Sequence, residues 1–196
     1  MLILASASPA RASLLSAAGI AFTAESADFD ETDLKRFCRK EGKDALSSTL
    51  ELAAEKARRV SARHPGALVV GADQILDAGD HWLDKPRDLS EAREQLYALR
   101  ANTHELLTGA CAVVDGKSVW RTATLCRLKM RPFSEAYLDA YIDAEGEALL
   151  GAVGAYRLEG RGVQLFERIE GDHFSILGLP LIELLAFLRE RGTIAS

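Results

Sequence analysis

Two serines and an arginine stand where the first predicted strand meets the first predicted helix, in the pattern Ser6-x-Ser8-x-x-Arg11. Leu2 to Ala5 read as a short apolar strand, Ser8 suits a helix N-cap, and Pro9 suits the first helical position. The free amides and the dipole of a helix N-terminus attract anions, and the serine hydroxyls and the guanidinium add donors suited to phosphate. An ordinary capped helix that binds nothing would use the same residues.

A carboxylate, Asp73, follows the continuous apolar run that begins at Leu68. Such a run is typical of a strand buried on both faces, and we expect the strand to end at Asp73. Ligands of open α/β sheets bind beside the carboxyl ends of strands, so Asp73 is a candidate for chemistry. A buried carboxylate needs a cation or a metal as partner. Capping of the following turn is the alternative role.

Three further charged residues, Glu31, Lys56 and Lys85, complete a set that suits phosphoanhydride hydrolysis. Carboxylates would hold a divalent ion and position water, while cations would neutralise charge on the phosphates. Magnesium suits such oxygen ligands and keeps part of its water shell. Lys56 has an alternative, because it can pair with Glu51 or Glu55 on an exposed helix face.

The elements that must position these residues alternate between strand and helix, which predicts an α/β fold with a mixed sheet in one domain over residues 1–196. Asp28 to Asp33 reads as an acidic surface loop, and Asp115-Gly116 reads as the turn of a long hairpin. We predict strands over 21–27, 68–73, 104–114, 118–130 and 164–169, a hairpin turn over 77–80, and helices over 11–18, 44–63, 90–100 capped by Ser90, 134–142 capped by Ser134, and 179–191.

Composition restricts the class of partner. The chain has 196 residues, 48% of them hydrophobic, and a net charge of -5, which argues against a nucleic-acid polymer as ligand. The three cysteines are scattered, so neither a disulfide framework nor a zinc site is expected. The sequence shows no signal peptide and no membrane-spanning run, so a cytoplasmic protein without a membrane partner is expected. It also lacks a GxSxG elbow and a P-loop.

Short motifs that follow one another along the whole chain resemble the Maf family of nucleoside triphosphate pyrophosphatases. The motifs are Ser6-x-Ser8-x-x-Arg11, Asp30-Glu31-Thr32, Glu55-Lys56-Ala57, Gly71-Ala72-Asp73-Gln74, Lys85-Pro86, Thr103-His104, Thr108-Gly109 and Gly178-Leu179-Pro180-Leu181. The resemblance implies an elongated mixed sheet flanked by helices, two lobes with a cleft, and hydrolysis between the α and β phosphates of a nucleoside triphosphate. It also implies a cytoplasmic homodimer with a role in cleansing nucleotide pools or in division arrest.

By position, Asp73 matches the proton acceptor of that family. Ser8, Arg11, Glu31, Lys56 and Lys85 match its other active-site positions, and Ser6 opens its signature. Glu31 and Asp73 are the implied ligands of a divalent metal, Mg²⁺ with Mn²⁺ or Co²⁺ as alternatives. Which carboxylate binds metal and which accepts the proton is left open.

The preferred base is also left open. Gln74 and Glu159 resemble the 7-methyl-GTP branch of the family, and an acidic side chain suits the donors of a guanine edge or a positively charged methylated purine. Ala10 stands where that branch tends to carry tryptophan. The alternatives are an enzyme for dTTP or UTP, a phosphatase that removes the terminal phosphate, and a nucleotide-binding regulator without turnover.

Overall fold

A computed structural model describes residues 1–79 and 81–195 of the chain. Its described strands form one mixed sheet in the order β2-β1-β3-β5-β6-β7, with β4 paired to β3. β1 runs parallel to β2 and β3, whereas β4 runs antiparallel to β3 and β7 antiparallel to β6. The strands are β1 (Leu2–Ala5), β2 (Thr23–Ala24), β3 (Leu68–Asp77), β4 (Trp82–Leu83), β5 (Thr103–Val114), β6 (Lys117–Met130) and β7 (Phe166–Glu170).

Helices and strands alternate through most of the chain, so the predicted α/β class with a mixed sheet is confirmed. The helices are α1 (Pro9–Ala17), α2 (Glu31–Lys40), α3 (Ala45–Ser61), α4 (Leu89–Leu99), α5 (Glu135–Glu145), α6 (His173–Ile176) and α7 (Leu181–Glu190). Short 3₁₀ turns occupy Gly146–Gly151, Val153–Ala155 and Arg161–Leu165. Within the described residues, no helix is both long enough and apolar enough to cross a membrane.

The residue contacts divide the chain into two compact units. Unit 1 comprises Met1–Gln74, Thr108–Thr124 and Asp172–Ser196, and unit 2 comprises Ile75–Leu107 and Leu125–Gly171. The single domain over 1–196 stays a prediction.

The sheet of unit 1 is covered by helices on both faces, because successive residues of a buried strand point to opposite sides. Val69 belongs to an apolar cluster with Ala53 and Ala57 of α3. Val70 and Ala72 belong to a second cluster, with leucines of α1 and α7. The continuous apolar run of β3 therefore reflects burial on both sides, as predicted.

Unit 2 has an apolar interior of its own. Fully buried side chains come from α4, β5, β6, α5 and the 3₁₀ turn that begins at Gly146, and α4 contacts both α5 and that turn. The largest of these side chains are Leu96, Leu106, Leu128, Met130, Leu138 and Leu149.

Several local predictions are confirmed. Ser8 caps α1 with Pro9 in its first turn, and Ser134 caps α5. The long helix over 44–63 is present as α3, with Asp44 as its N-cap. The hairpin at Asp115-Gly116 is also present, and the two-residue connection makes β5 and β6 antiparallel neighbours.

Other local predictions are wrong. The acidic loop over 28–33 ends at Asp30, which caps α2, and Glu31 already lies in the first helical turn. The carboxylates there favour helix because they face the positive end of the helix dipole. Asp88, not Ser90, caps α4. The predicted strand over 21–27 is reduced to β2, and the last helix begins at Leu181, after the short helix α6.

The end of β3 is the correction that concerns the site. The strand does not stop at Asp73 but continues to Asp77, because Ile75 and Leu76 are buried and β4 pairs with the added segment. Leu76 and Asp77 pair with Leu83 and Trp82 in the predicted hairpin, whose turn includes position 80, outside the described residues. Asp73 is therefore a residue of the strand interior.

Candidate active site

The junction between β1 and α1 holds its two serines and its arginine in one hydrogen-bonded group. The Ser6 hydroxyl accepts from the backbone N–H of Ser8 at 3.1 Å and from Nη1 of Arg11 at 3.3 Å. The Ser8 hydroxyl accepts from the backbone N–H of Arg11 at 3.4 Å. The ordinary capping role of Ser8 is thus present, and it coexists with a cation placed at the start of the helix.

Arg11 is a buried cation, with 8% of its surface exposed. Its Nε donates to the backbone carbonyl of Gly178 at 2.7 Å, so both of its acceptors among the described residues are uncharged. Burial lowers the pKa of Arg11, and the nearby charges of Asp73 and Glu31 offset this only in part. An anionic ligand such as phosphate would stabilise this buried guanidinium, because it would supply the negative charge that the uncharged acceptors lack.

Lys56 lies between two carboxylates. Its Nζ is 2.8 Å from Oδ1 of Asp73 and 2.8 Å from Oε1 of Glu31. The Lys56 and Asp73 side chains are almost buried, at 11% and 8% exposure, while Glu31 is partly exposed at 36%. The alternative pairing of Lys56 with Glu51 or Glu55 is wrong, because Lys56 lies on the buried side of α3.

The second oxygen of Asp73 lacks a partner. Oδ2 is buried and accepts no hydrogen bond from any described residue. An unpaired buried acceptor is costly, so its place in a folded protein calls for a bound water, proton donor or metal. Asp73 thus has one oxygen neutralised by Lys56 and one that remains available.

These two carboxylates fit a divalent metal of the magnesium type. No group of three or more His, Cys, Asp or Glu side chains is placed to hold a metal among the described residues. Magnesium commonly takes only one or two carboxylates and completes its shell with waters and substrate phosphates. Asp73 Oδ2 together with Glu31 is therefore an adequate donor set for that ion.

The close approach of α3 to β3 brings Lys56 to Asp73. A Cβ atom at Gly71 would lie 2.1 Å from the carbonyl oxygen of Ala53 and 2.9 Å from the backbone nitrogen of Ala57. Only glycine fits at that distance. Gly71 precedes Asp73 by two residues, so both face α3.

Gln74 faces the opposite side of β3. Its amide nitrogen lies 3.1 Å from each of three acceptors, the Thr108 hydroxyl and the carbonyls of Ser175 and Ile176. The carbonyls fix which end of the amide is the nitrogen, because they can only accept. The proposed contact of Gln74 with substrate stays a prediction, since its donor end binds the protein itself.

The other predicted site residues are Ala10, Lys85 and Glu159. Ala10 is partly exposed in the first turn of α1. Lys85 and Glu159 both belong to unit 2, where each is exposed. Glu159 pairs with Nε of Arg157 at 3.2 Å. The structure thus brings together Ser6, Ser8, Arg11, Glu31, Lys56, Asp73 and Gln74 within unit 1.

Thr108, Ser175 and Gly178 are residues of the site to which sequence reasoning assigned no role. The Thr108 hydroxyl donates to the Ser175 carbonyl at 2.8 Å, and Gly178 supplies the carbonyl that binds Arg11. Gly178 has φ +108, and its Cα is flanked by Arg11 and Gln74. Thr108 and Gly178 occur in the motifs given above. The motifs therefore point to these two positions, but they do not show which residues the two positions contact.

Comparison with known proteins matches the chain to one family. Residues 1–191 match the family described as Maf-like protein. The chain belongs to the Maf-like family. The matched range includes residues of both units and all of the site residues discussed above.

Relatives of this Maf-like protein have similar lengths. A protein of Paramagnetospirillum magneticum named "Nucleoside triphosphate pyrophosphatase" is 53% identical over 97% of this chain and 98% of its own. One of the same name from Bradyrhizobium diazoefficiens is 50% identical over 99% of this chain and 95% of its own. A protein of Rhizobium meliloti named "7-methyl-GTP pyrophosphatase" is 45% identical over 99% and 98%.

Proposed function

We propose that this Maf-like protein hydrolyses nucleoside triphosphates to the nucleoside monophosphate and pyrophosphate. The names of its relatives at 45% to 53% identity support this reaction. The observation that carries the mechanism is the state of Asp73, a buried carboxylate whose Oδ1 is held by Lys56 and whose Oδ2 has no partner among the described residues.

In this mechanism Asp73 is the general base. Water attacks the α-phosphorus and gives a proton to the free Oδ2 of Asp73, as a new P–O bond forms. The bond from the α-phosphorus to the bridging oxygen breaks, and pyrophosphate leaves with the bonding electron pair. The ammonium of Lys56 lies 2.8 Å from Oδ1 and holds the carboxylate in place.

Cationic side chains would bind the triphosphate and stabilise the charge that develops on it. Arg11 is suited to this role because its described hydrogen bonds go to neutral acceptors and leave its charge uncompensated by a direct ion pair. The hydroxyls of Ser6 and Ser8 and the first amides of α1 would add donors to phosphate oxygens. Lys85 of unit 2 is proposed as a further cation, on the evidence of the motif alone.

A divalent cation, Mg²⁺ in the first instance and Mn²⁺ or Co²⁺ as alternatives, would be held by Glu31 in this mechanism, because the free oxygen of Asp73 accepts the proton. The alternative, with Asp73 Oδ2 as the metal ligand, would leave Glu31 as the base. When bound, the cation supplies positive charge against the triphosphate and lowers the pKa of a bound water. The cluster of Arg11, Lys56, Glu31 and Asp73 is neutral as a set, so it cannot by itself balance a triphosphate. This charge deficit supports the need for the metal.

We further propose 7-methyl-GTP as the preferred substrate. Support comes from the names of two relatives at 45% identity and from Glu159, a carboxylate that suits a positively charged methylated purine. The competing preference for dTTP or UTP predicts that pyrimidine triphosphates turn over faster. Replacement of Glu159 by Gln should lower the ratio of kcat/KM for 7-methyl-GTP to that for UTP, and an unchanged ratio would contradict this assignment.

The test of the reaction uses magnesium and a panel of 7-methyl-GTP, GTP, dTTP, UTP, CTP and ATP in ¹⁸O-labelled water. Monophosphate that contains the label, with unlabelled pyrophosphate, is the expected result. Diphosphate with labelled inorganic phosphate would establish the terminal phosphatase instead. Tight triphosphate binding without turnover in Mg²⁺, Mn²⁺ or Co²⁺ would establish the nucleotide-binding regulator.

The metal requirement is tested by chelation. We expect EDTA to abolish turnover and added Mg²⁺ to restore it, and turnover that persists in EDTA would contradict the metal requirement.

The assembly and the location are tested separately. The proposed homodimer predicts twice the chain mass in light scattering. The cytoplasmic location and the proposed role in pool cleansing or division arrest are checked by cell fractionation and by a deletion strain.

A further inference from the structure

The turn over Ser175–Gly178 connects two strands of the sheet to Arg11. Three donors converge on the carbonyl of Ser175: the backbone N–H of Gly178 at 2.9 Å, the hydroxyl of Thr108 at 2.8 Å and the amide of Gln74 at 3.1 Å. The other end of the turn is the Gly178 carbonyl, which accepts from Nε of Arg11 at 2.7 Å. The start of the turn is thereby fixed to β3 and β5, and its end holds the cation.

The hydrogen bonds of this network are consistent with one another. The Thr108 hydroxyl donates its only proton to the Ser175 carbonyl, so its oxygen can accept a hydrogen bond from Gln74. Gln74 has two amide protons for three acceptors, the Thr108 oxygen and the carbonyls of Ser175 and Ile176, so two of these acceptors share one proton. Ser175 and Thr108 are completely buried, so water is not available to replace a lost donor.

Space is as restricted as hydrogen bonding. A Cβ atom at Gly178 would lie 3.0 Å from Nε of Arg11 and 3.1 Å from Oε1 of Gln74. The space beside the backbone of Gly178 is therefore occupied by the two side chains. A change in the position of Gln74 alters the packing against this backbone, which carries the acceptor of Arg11.

We infer that Gln74 is a positioning residue that fixes the guanidinium of Arg11 through the turn Ser175–Gly178. Consecutive residues of β3 then hold the two site cations of unit 1, with Asp73 holding Lys56 on the α3 face and Gln74 holding Arg11 on the opposite face. The structural part of this inference stands alone, and its kinetic consequence rests on the proposed function.

The structural test follows the Nε proton of Arg11 by NMR, with its signal assigned by its loss in Arg11→Met. The short bond to Gly178 should give this proton slow exchange with water in the wild type. In Gln74→Met, which keeps the length of the side chain but removes its donors, we expect exchange to be at least ~10-fold faster. Unchanged exchange would overturn the inference, whether or not the protein turns over nucleotides.

The kinetic test is a double-mutant cycle. Misplacement of Arg11 in Gln74→Met should reduce kcat/KM on the order of 10-fold to 100-fold. In the Arg11→Met background the same change should have almost no further effect, because the group it positions is gone. Gln95→Met is the matched control, since Gln95 is also a buried glutamine that donates to a backbone carbonyl, that of Asp84 at 3.0 Å.

The control should be additive with Arg11→Met. Additive effects of Gln74→Met and Arg11→Met would overturn the positioning role. Absence of turnover in the wild type would instead refute the proposed function, and the exchange measurement would then decide the positioning role alone.

Discussion

In each unit of the molecule one cation lies between two carboxylates, but the surroundings differ. In unit 1, Lys56 is 2.8 Å from both Glu31 and Asp73, and the Lys56 and Asp73 side chains are 11% and 8% exposed. In unit 2, Arg157 is 3.2 Å from both Glu145 and Glu159, and the Arg157 and Glu159 side chains are 37% and 38% exposed, whereas Glu145 is 9% exposed. Each set has one buried and one partly exposed carboxylate, but the cation is nearly enclosed in unit 1 and open to solvent in unit 2.

This difference separates an enclosed cluster suited to proton transfer from a more exposed one, whose Glu159 is proposed above only for recognition of the base. Solvent screens Arg157 and Glu159, so their attraction contributes little to the free energy of folding. If one of the two is removed, water can hydrate the charge of the other. Enclosure strengthens the field between Lys56 and Asp73 and makes the free oxygen of Asp73 costly unless a ligand binds it. Burial of the cluster, more than its charges, marks the candidate site.

The most severe test of this comparison exchanges a carboxylate for an amide in each cluster. Asp73→Asn should reduce kcat about 10³-fold, because it removes the proposed proton acceptor. Glu145→Gln makes the same kind of change beside Arg157 and should leave kcat within ~3-fold of the wild type. Steady-state kinetics on the best substrate measures both. Equal losses in the two variants would remove the distinction.

Removal of the cation should affect the stability of the two clusters unequally. Lys56→Met leaves two carboxylates beside each other without a counter-ion, at a cost of about 3 kcal/mol in the free energy of unfolding. Arg157→Met should cost less than Lys56→Met, because Arg157 and Glu159 are partly solvated and only Glu145, at 9% exposure, loses a counter-ion in a buried position. Urea denaturation at pH 7 gives both values. A loss for Arg157→Met as large as that for Lys56→Met would contradict the comparison.

Unit 2 also buries a polar group without charge, His104, which is 2% exposed and lies 3.1 Å from the Tyr156 hydroxyl. Burial lowers the pKa of His104 to about 4. As the pH decreases below about 6.5, His104 of the unfolded chain becomes protonated, whereas His104 of the folded chain stays neutral. The free energy of unfolding should therefore decrease as the pH falls from 6.5 towards 4. The contribution is roughly 3 kcal/mol.

Urea denaturation between pH 7 and pH 4 measures this effect. His104→Gln should have a smaller loss of stability on acidification than the wild type. The exposed His173, replaced in the same way, is the control and should keep the acid response of the wild type. Identical slopes for wild type and His104→Gln would refute the neutral buried state.

The smallest expected effect compares the two serine caps. Ser8 accepts from the backbone N–H of Arg11 at 3.4 Å in unit 1, and Ser134 accepts from that of Tyr137 at 3.1 Å in unit 2. Each change to alanine should lower the free energy of unfolding by about 1 kcal/mol. Only Ser8→Ala should also raise KM for the triphosphate. A higher KM in both variants would show that the cap of α1 has no special role.

Much of the fold was predictable because its signals are local. The capping of α1 and α5 depends on residues within one helical turn, and the helical spacing of apolar residues identified α3. The helix α2 was missed because four carboxylates within 28–33 suggest a loop. Asp30 as N-cap and the basic residues of its last turn were the signal for that helix.

The site was less predictable, since its contacts join residues far apart in sequence. The residue types were identified, but the spacing of Lys56 favoured Glu51 or Glu55 as partner, whereas the bond is to Asp73 on another element. The position of Asp73 within β3 depends on pairing with β4, and the role of the Gly178 carbonyl depends on backbone geometry. Neither the pairing of β4 nor the backbone geometry at Gly178 can be recognised from the residue types alone.

The glycine at position 71 affects the geometry of this site without taking part in its chemistry. It has no charge and no polar side chain, yet its missing methyl group lets Ala53 of α3 approach the strand. The approach of that helix sets how far Lys56 must extend to meet Asp73. Substitutions along this helix–strand contact can therefore adjust the strength of the ion pair while every charged residue is kept.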